Sequence, residues 1–268
     1  MLVMSFSISD AFSRIVLTGT CKNVFDYTAN PLGSNVVTAA WSNGSTALKG
    51  YSVTGLTFTA PVVLSANYYD DYEFLGKNGI PDDATTGYSE MSGYGKRYSG
   101  GCKGQLTGNW TARLTSQLAG STYSVMYYDD RYRVIQRKGN NSLNGMEAVY
   151  TSYNFEGSPV KEKRVHSVPG QDIITEVRNH TYDLANRLLQ TTYQLNDDAP
   201  VILVDNVYDE IGRLKTEKRT GHSKLRTDYT YNLRSWTKGI NGPLFHQTLT
   251  YQESIDGTTP CYLSLIHI

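Results

Sequence analysis

Residues 201–219 read as VILVDNVY, then DEIG, then RLKTEKR: a strand-like run, a break, and a second strand-like run. Side chains on a strand point alternately to opposite faces, and a short break holding Asp and Gly marks a chain reversal. The pattern predicts two antiparallel strands joined at Asp209–Gly212. ITEVRNHTY and LLQTTYQL stand in the same way on either side of Asp183–Asn186, and the polar stretches QLNDDAP, KGNNSLNGM and SVPGQ read as loops between strands. Neither parity of RLKTEKRT is apolar, so that strand cannot cover a dry core.

The skeleton recurs. YDLANRLLQ begins at Tyr182, YDDRYRVIQ at Tyr128 and YNFEGSPVK at Tyr153; looser copies are YNLRSWTKG at Tyr231, YDDYEFLGK at Tyr69 and SDAFSRIVL at Ser9. Through Tyr128, Tyr153, Tyr182, Tyr208 and Tyr231 the steps are 25, 29, 26 and 23 residues. Recurrence at this length means stacked supersecondary units. The steps from Ser9 to Tyr69 and from Tyr69 to Tyr128 are about twice as long, which leaves room for degenerate or longer units.

Each position has a physical use. Asp209 at the first turn position can accept backbone N–H groups two or three residues further on, and Asn154 and Asn232 keep that acceptor. The fourth position needs positive φ, which Gly212 and Gly157 tolerate best and Asn186 next best; Tyr132, Ser13 and Ser235 make weaker copies. The expectation across the hairpin is a guanidinium lying on its own tyrosine, in the pairs Tyr208 with Arg213, Tyr182 with Arg187 and Tyr128 with Arg133. Tyr231 with Trp236 and Tyr69 with Phe74 would be aromatic substitutes. Tyr153 with Ser158 would not stack, and Pro159 suits an edge or a bulge.

These residues resemble the YD-repeat, or RHS-repeat, family of large bacterial secreted and surface proteins. The likeness covers Ser9 to about Tyr251, and the family's Y-D-x-x-G-R-L signature stands intact at Tyr208–Leu214. The segment GYSVTGLTFTAPVVLSANYYDDYEFL resembles the irregular stretches between repeats in long members. The resemblance implies an all-β fold of repeated antiparallel β-hairpins forming a curved or spiralling sheet, part of a shell around a C-terminal toxin-like domain. It divides the chain into a first degenerate hairpin at 1–22, an irregular segment at 23–124 with a degenerate repeat near 68–77, a repeat array at 125–251 and a tail at 252–268. The family's core segment with its self-cleaving aspartates is not visible, since the chain has no Asp-Pro dipeptide, so autoproteolysis does not carry over. Leu263–Ile268, LSLIHI, translates a transposon end used in preparing sequencing libraries, CTG-TCT-CTT-ATA-CAC-ATC. The tail is expected to be an artefact of a truncated reading frame, and the chain an internal fragment.

Composition adjusts this picture in a few places. Twenty-five Lys and Arg balance 25 Asp and Glu, which removes the clustered positive charge that nucleic acid requires. Tyr 21 against Phe 7 and Trp 3 favours partly wet pleated surfaces and thin cores. No apolar run is long enough for a helical membrane span, and no basic segment precedes the apolar start as in a signal peptide. Cys21, Cys102 and Cys261 lack metal spacing; a Cys21–Cys102 disulfide is open, with three separate thiols favoured.

No catalytic, cofactor-binding or metal-binding residue is expected. The pairs Asp70-Asp71, Asp82-Asp83, Asp129-Asp130 and Asp197-Asp198 are better read as turn chemistry than as a general acid and base, because neighbours on a strand point apart. His166, His180, His222, His246 and His267 suit surface or cross-strand places. SGYGKRYSGGCKG at Ser92–Gly104 lacks the phosphate-loop pattern and reads as a flexible loop. The sequons at Asn43, Asn109, Asn140 and Asn179 are incidental in a bacterial chain. The leading reading is a non-enzymatic wall segment, secreted or on a bacterial surface, whose partners are neighbouring repeats and an enclosed C-terminal domain. The alternative is a carbohydrate- or cell-surface-binding adhesion module. A hydrolase has only the carboxylate pairs behind it.

Overall fold

A computed structural model describes residues 4–23, 36–44, 46–114, 120–220 and 222–251. The expectations about Cys261, His267 and the tail at 252–268 lie outside the described residues. The fold is all-β, a meander of antiparallel hairpins as the alternation predicts, with short helical turns at Thr46–Leu48, Asp83–Thr86 and Ser223–Leu225 among the described residues. It divides into two compact units, Met1–Ser152 with Arg164–Ile174, and Tyr153–Lys163 with Thr175–Ile268.

The first unit contains β1 (Met4–Ser9), β2 (Ile15–Cys21), β3 (Thr38–Trp41), β4 (Tyr51–Thr54), β5 (Val62–Asp70), β6 (Cys102–Ala112), β7 (Ser121–Tyr128), β8 (Val134–Asn140) and most of β9 (Met146–Tyr153). Its sheet runs β1-β2-β5-β6-β7-β8-β9, and β3 pairs with β4 apart from it. Because β2 pairs directly with β5, residues 22–61 are an excursion between adjacent strands. Residues 71–101 are a second one, between the paired strands β5 and β6. The doubled steps in the sequence are therefore longer units.

These excursions give the first unit an aromatic core. Phe74 stacks on Tyr68 at 4.5 Å between centroids, Tyr72 on Tyr127 at 4.8 Å, and Trp41 meets Tyr68 edge-on at 5.5 Å. The buried phenols stay satisfied by donating to backbone carbonyls: Tyr68 to Lys49 at 3.1 Å, Tyr72 to Met126 at 2.8 Å and Tyr127 to Thr86 at 2.8 Å. Val16, Leu17, Val125 and Ile135 are buried in the same unit. Here the thin-core expectation fails, since chain outside the ladder folds back over the sheet.

The second unit contains most of β11 (Ile174–Tyr182), β12 (Leu188–Leu195), β13 (Val201–Tyr208), β14 (Leu214–Arg219), β15 (Arg226–Tyr231), β16 (Thr237–Asn241) and β17 (His246–Thr248), each paired to the next, while β10 (Pro159–Ser167) has residues in both units. Pro159 is the first residue of β10, where a missing N–H is tolerated. No large apolar side chain of the second unit is buried among the described residues; Thr191 and Thr216 are the buried side chains. Polar cross-strand contacts take the place of a core. Thr216 donates to Asp228 at 2.8 Å and Lys218 pairs with Asp205 at 3.2 Å. The thin-core expectation holds in this unit.

Candidate functional site

The recurring feature is the hairpin tip. At Asp209–Arg213 the Gly212 N–H donates to the Asp209 carbonyl at 2.9 Å, and the Asp209 N–H donates to the Arg213 carbonyl at 2.9 Å. Gly212 has φ 90, and the register shifts between Val207 and Tyr208. These are the marks of a type I turn closed by a left-handed residue and a bulge. The Asp209 carboxylate accepts the N–H of Ile211 at 3.2 Å and of Arg213 at 2.8 Å, and its second oxygen accepts Arg213 Nε at 2.7 Å. Its backbone donors thus lie two and four residues on, because the bulge carries the Arg213 N–H inward.

The same construction recurs at Asp10, Asp129 and Asp183, each with its N–H donors two and four residues on and an Arg Nε at 2.6–2.7 Å. Asn232 repeats the backbone part, and Asn154 accepts the Ser158 N–H at 2.9 Å. Positive φ is adopted at Ser13, Tyr132 and Ser235 as well as at Asn186 and Gly157. The supposedly weaker copies therefore fold as full turns, with L side chains carrying the strain. Sequence reasoning missed one further tip, Asn141–Gly145, where Asn141 accepts from Leu143 at 3.0 Å and from Gly145 at 2.8 Å and Asn144 has φ 61. Asn141 followed by Asn144-Gly145 was the available signal, hidden because no tyrosine precedes it.

The Tyr69 copy is a correction. Asp70 caps no turn: it has φ 77, and its carboxylate accepts two N–H groups of Arg14, at 2.9 and 2.7 Å, and the Gly104 N–H at 2.6 Å. Phe74 stacks on Tyr68 instead of Tyr69. Tyr69 nevertheless keeps the place of a repeat tyrosine, beneath the Arg14 guanidinium at 4.4 Å.

The pairing of arginine with tyrosine is the second correction. Arg187 lies over the Tyr208 ring at 4.8 Å and Arg213 over Tyr231 at 4.7 Å, so each guanidinium covers the tyrosine of the following hairpin. The cause is the tip itself: the carboxylate holds the guanidinium by Nε and turns its face toward the next tip. Trp236 keeps the relation with Tyr251, at 5.0 Å between rings. The phenol hydroxyls complete the tie by donating to the residue after the arginine position of the preceding hairpin. Tyr208 donates to Leu188 at 3.0 Å, Tyr231 to Leu214 at 2.7 Å, Tyr182 to Pro159 at 2.8 Å and Tyr251 to Thr237 at 2.9 Å.

The electrostatics follow this geometry. The Arg187 side chain and backbone hold the Asp183 carboxyl below its ordinary value. At Asp10 and Asp209 burial pulls upward, but hydrogen bonds from Arg14 and Arg213 outweigh it and the net direction is down. At Asp70 the Arg14 side chain leads the lowering.

Of the paired carboxylates, Asp70 and Asp129 are tied to arginines, and Asp71 accepts the Glu73 N–H at 3.0 Å. His166 lies 2.6 Å from Glu147, and His180 contacts Thr191 at 2.9 Å and Glu162 at 3.4 Å, cross-strand places as expected. Among the described residues no group of three His, Cys, Asp or Glu could hold a metal. Cys21 and Cys102 are both free and buried, and no described helix is long and apolar enough to cross a membrane.

No protein-family model matches the sequence, and no curated protein is similar to it. Among solved structures, the crystal structure of TcdB2-TccC3-Cdc42 is similar at 9% identity and TM-score 0.30, over 89% of this chain and 13% of that one. The chain spans about an eighth of that protein's length.

Proposed function

We propose that the chain is a non-enzymatic structural segment of a bacterial RHS/YD-repeat shell, secreted or displayed on the cell surface, which encloses or presents a C-terminal toxin-like domain. The observation that carries this reading is the repeated tie of tyrosine to the preceding hairpin's arginine and backbone. It commits the polar side chains of the tips to joining hairpins, as a wall requires, and leaves them poorly placed to act on a substrate. The test is limited proteolysis of the intact parent protein. Protection of its C-terminal domain, lost when the ties are cut by Tyr208→Ala with Tyr231→Ala, supports the reading; a C-terminal domain digested as fast as in isolation overturns it.

A second reading, a carbohydrate-binding adhesion module, has one observation in its favour. An open groove of about 550 Å³ lies between the Tyr208 and Tyr231 tips, lined by both rings with Arg213, Lys215 and Tyr229. Glycan-array binding by the parent protein that disappears on Tyr229→Ala would favour it over a purely mechanical role.

A further inference from the structure

A separate cleft of about 290 Å³ opens in the first unit where the 71–101 excursion returns to the sheet, lined by Tyr72, Tyr88, Arg97, Tyr98, Ser99 and Tyr128 among others. Ser92–Gly104, which the sequence marks as a flexible loop, supplies one wall. The Arg97 Cζ stands over the rings of Tyr72 at 4.6 Å and Tyr127 at 5.4 Å. Its backbone N–H donates to the Tyr88 hydroxyl at 3.1 Å, while its guanidinium makes no ion pair or hydrogen bond among the described residues. This distinguishes it from Arg14, Arg133, Arg187 and Arg213, each of which is held by a carboxylate.

Three of the other hydroxyls in the cleft, those of Tyr88, Tyr98 and Ser99, keep a proton to donate, and two do not. The Tyr72 and Tyr128 hydroxyls are committed to the carbonyls of Met126 and Leu106, at 2.8 and 2.5 Å. Tyr88 accepts from Arg97 and keeps its own O–H proton to donate, and the Ser99 and Tyr98 hydroxyls have no hydrogen-bond partner among the described residues. No carboxylate lines the cleft. A guanidinium fork without a carboxylate partner, with hydroxyl donors beside it, matches a carboxylate in bidentate geometry, and tyrosine faces match a flat or ring-shaped body. The volume lies at the small end of ligand sites and takes a single ring.

We propose that this cleft binds a small ligand bearing one carboxylate on a ring, with Arg97 gripping the carboxylate and the tyrosine rings packing against the body. Two sources carry this chemistry, an aromatic acid and a uronic acid sugar.

The test is calorimetric titration of the 268-residue chain with benzoate and with methyl glucuronide, each against its neutral counterpart, benzamide or methyl glucoside, and with inorganic phosphate. The expected result is saturable binding of at least one carboxylate, at least tenfold tighter than its neutral counterpart and than phosphate. Which acid binds identifies the source. Arg97→Gln should weaken binding at least tenfold and Arg97→Lys by less, since a lysine keeps charge without the fork. Failure of both acids to bind, equal binding of acid and neutral partner, phosphate binding as tight as the acids, or indifference to Arg97→Gln would each overturn the site. The acid-against-neutral comparison needs no variant, so a folding defect in a mutant leaves the proposal testable.

Discussion

Arg187 lies 4.8 Å above the ring of Tyr208, while its Nε donates 2.6 Å to the carboxylate of Asp183 in its own hairpin tip. One side chain therefore closes one hairpin and covers the next. The Tyr208 hydroxyl returns the contact through the Leu188 carbonyl at 3.0 Å. In a unit without a buried apolar core, such ties are what one hairpin offers the next.

The hydroxyl half of the tie predicts that Tyr208→Phe lowers stability by about 1 kcal/mol, the usual net value of one hydrogen bond. Val207→Thr, at an exposed strand position beside it, should change stability by less than about 0.5 kcal/mol. Denaturant unfolding measures both, and equal effects would argue that the phenol hydroxyl is idle.

Turn positions with positive φ differ in what surrounds them. A Cβ at Gly212 would meet Arg187 Nη1 at 2.5 Å, whereas one at Gly157 meets nothing within 4 Å. Gly157→Ala should therefore cost about 1 kcal/mol from backbone strain alone, and Gly212→Ala more, because it also displaces the covering arginine. Gly212→Val should be worse again, while Glu210→Ala at the exposed tip should be near neutral. Tyr132→Gly, at φ 59, should relieve strain. Melting temperatures of the five variants check the order.

The capping role of the tip carboxylate can be separated from its charge. Asn232 holds the same two backbone donors, at 2.9 and 3.0 Å, so Asp209→Asn should keep the turn and lose chiefly the bond to Arg213 Nε. Asp209→Ala should lose both, and cost about 1–2 kcal/mol. Thermal unfolding in which Asn is as damaging as Ala would contradict this division.

Acid should loosen the array. Asp10, Asp70, Asp183 and Asp209 are all held below their ordinary values by arginine or backbone partners in the folded chain. A carboxyl depressed on folding contributes stability above its unfolded value, about 3.9, and that contribution is lost as pH falls through the lower folded value. Stability measured by denaturant unfolding should be level from about pH 7 to pH 5 and decline below about pH 4. Asp183→Asn with Asp209→Asn should make that decline shallower.

The tips were legible in the sequence because each is a local device: an Asx acceptor, a residue with positive φ and an arginine lie within five positions. The partner of each arginine was not. Sequence spacing brings Tyr208 and Arg213 together, but Asp209 holds the guanidinium by Nε and directs it to Tyr231. The Tyr69 copy misled for a similar reason, since Asp70 is taken by Arg14 from fifty-six residues away. The arginine cleft was hidden too, because Tyr72, Tyr88, Arg97 and Tyr128 meet only after the 71–101 excursion folds back on the sheet.

The most direct measurement of the inter-hairpin tie is a pair of double-mutant cycles read by denaturant unfolding. One joins Arg187→Ala with Tyr208→Phe and Tyr208→Ala, and the other joins Arg213→Ala with the same tyrosine changes. Coupling of about 0.5–1 kcal/mol between Arg187→Ala and Tyr208→Ala, little with Tyr208→Phe, which keeps the ring, and none resolved between Arg213 and Tyr208, is the predicted result. Coupling to Arg213 in place of Arg187 would mean that each hairpin stacks on itself, and would contradict the tie between neighbours.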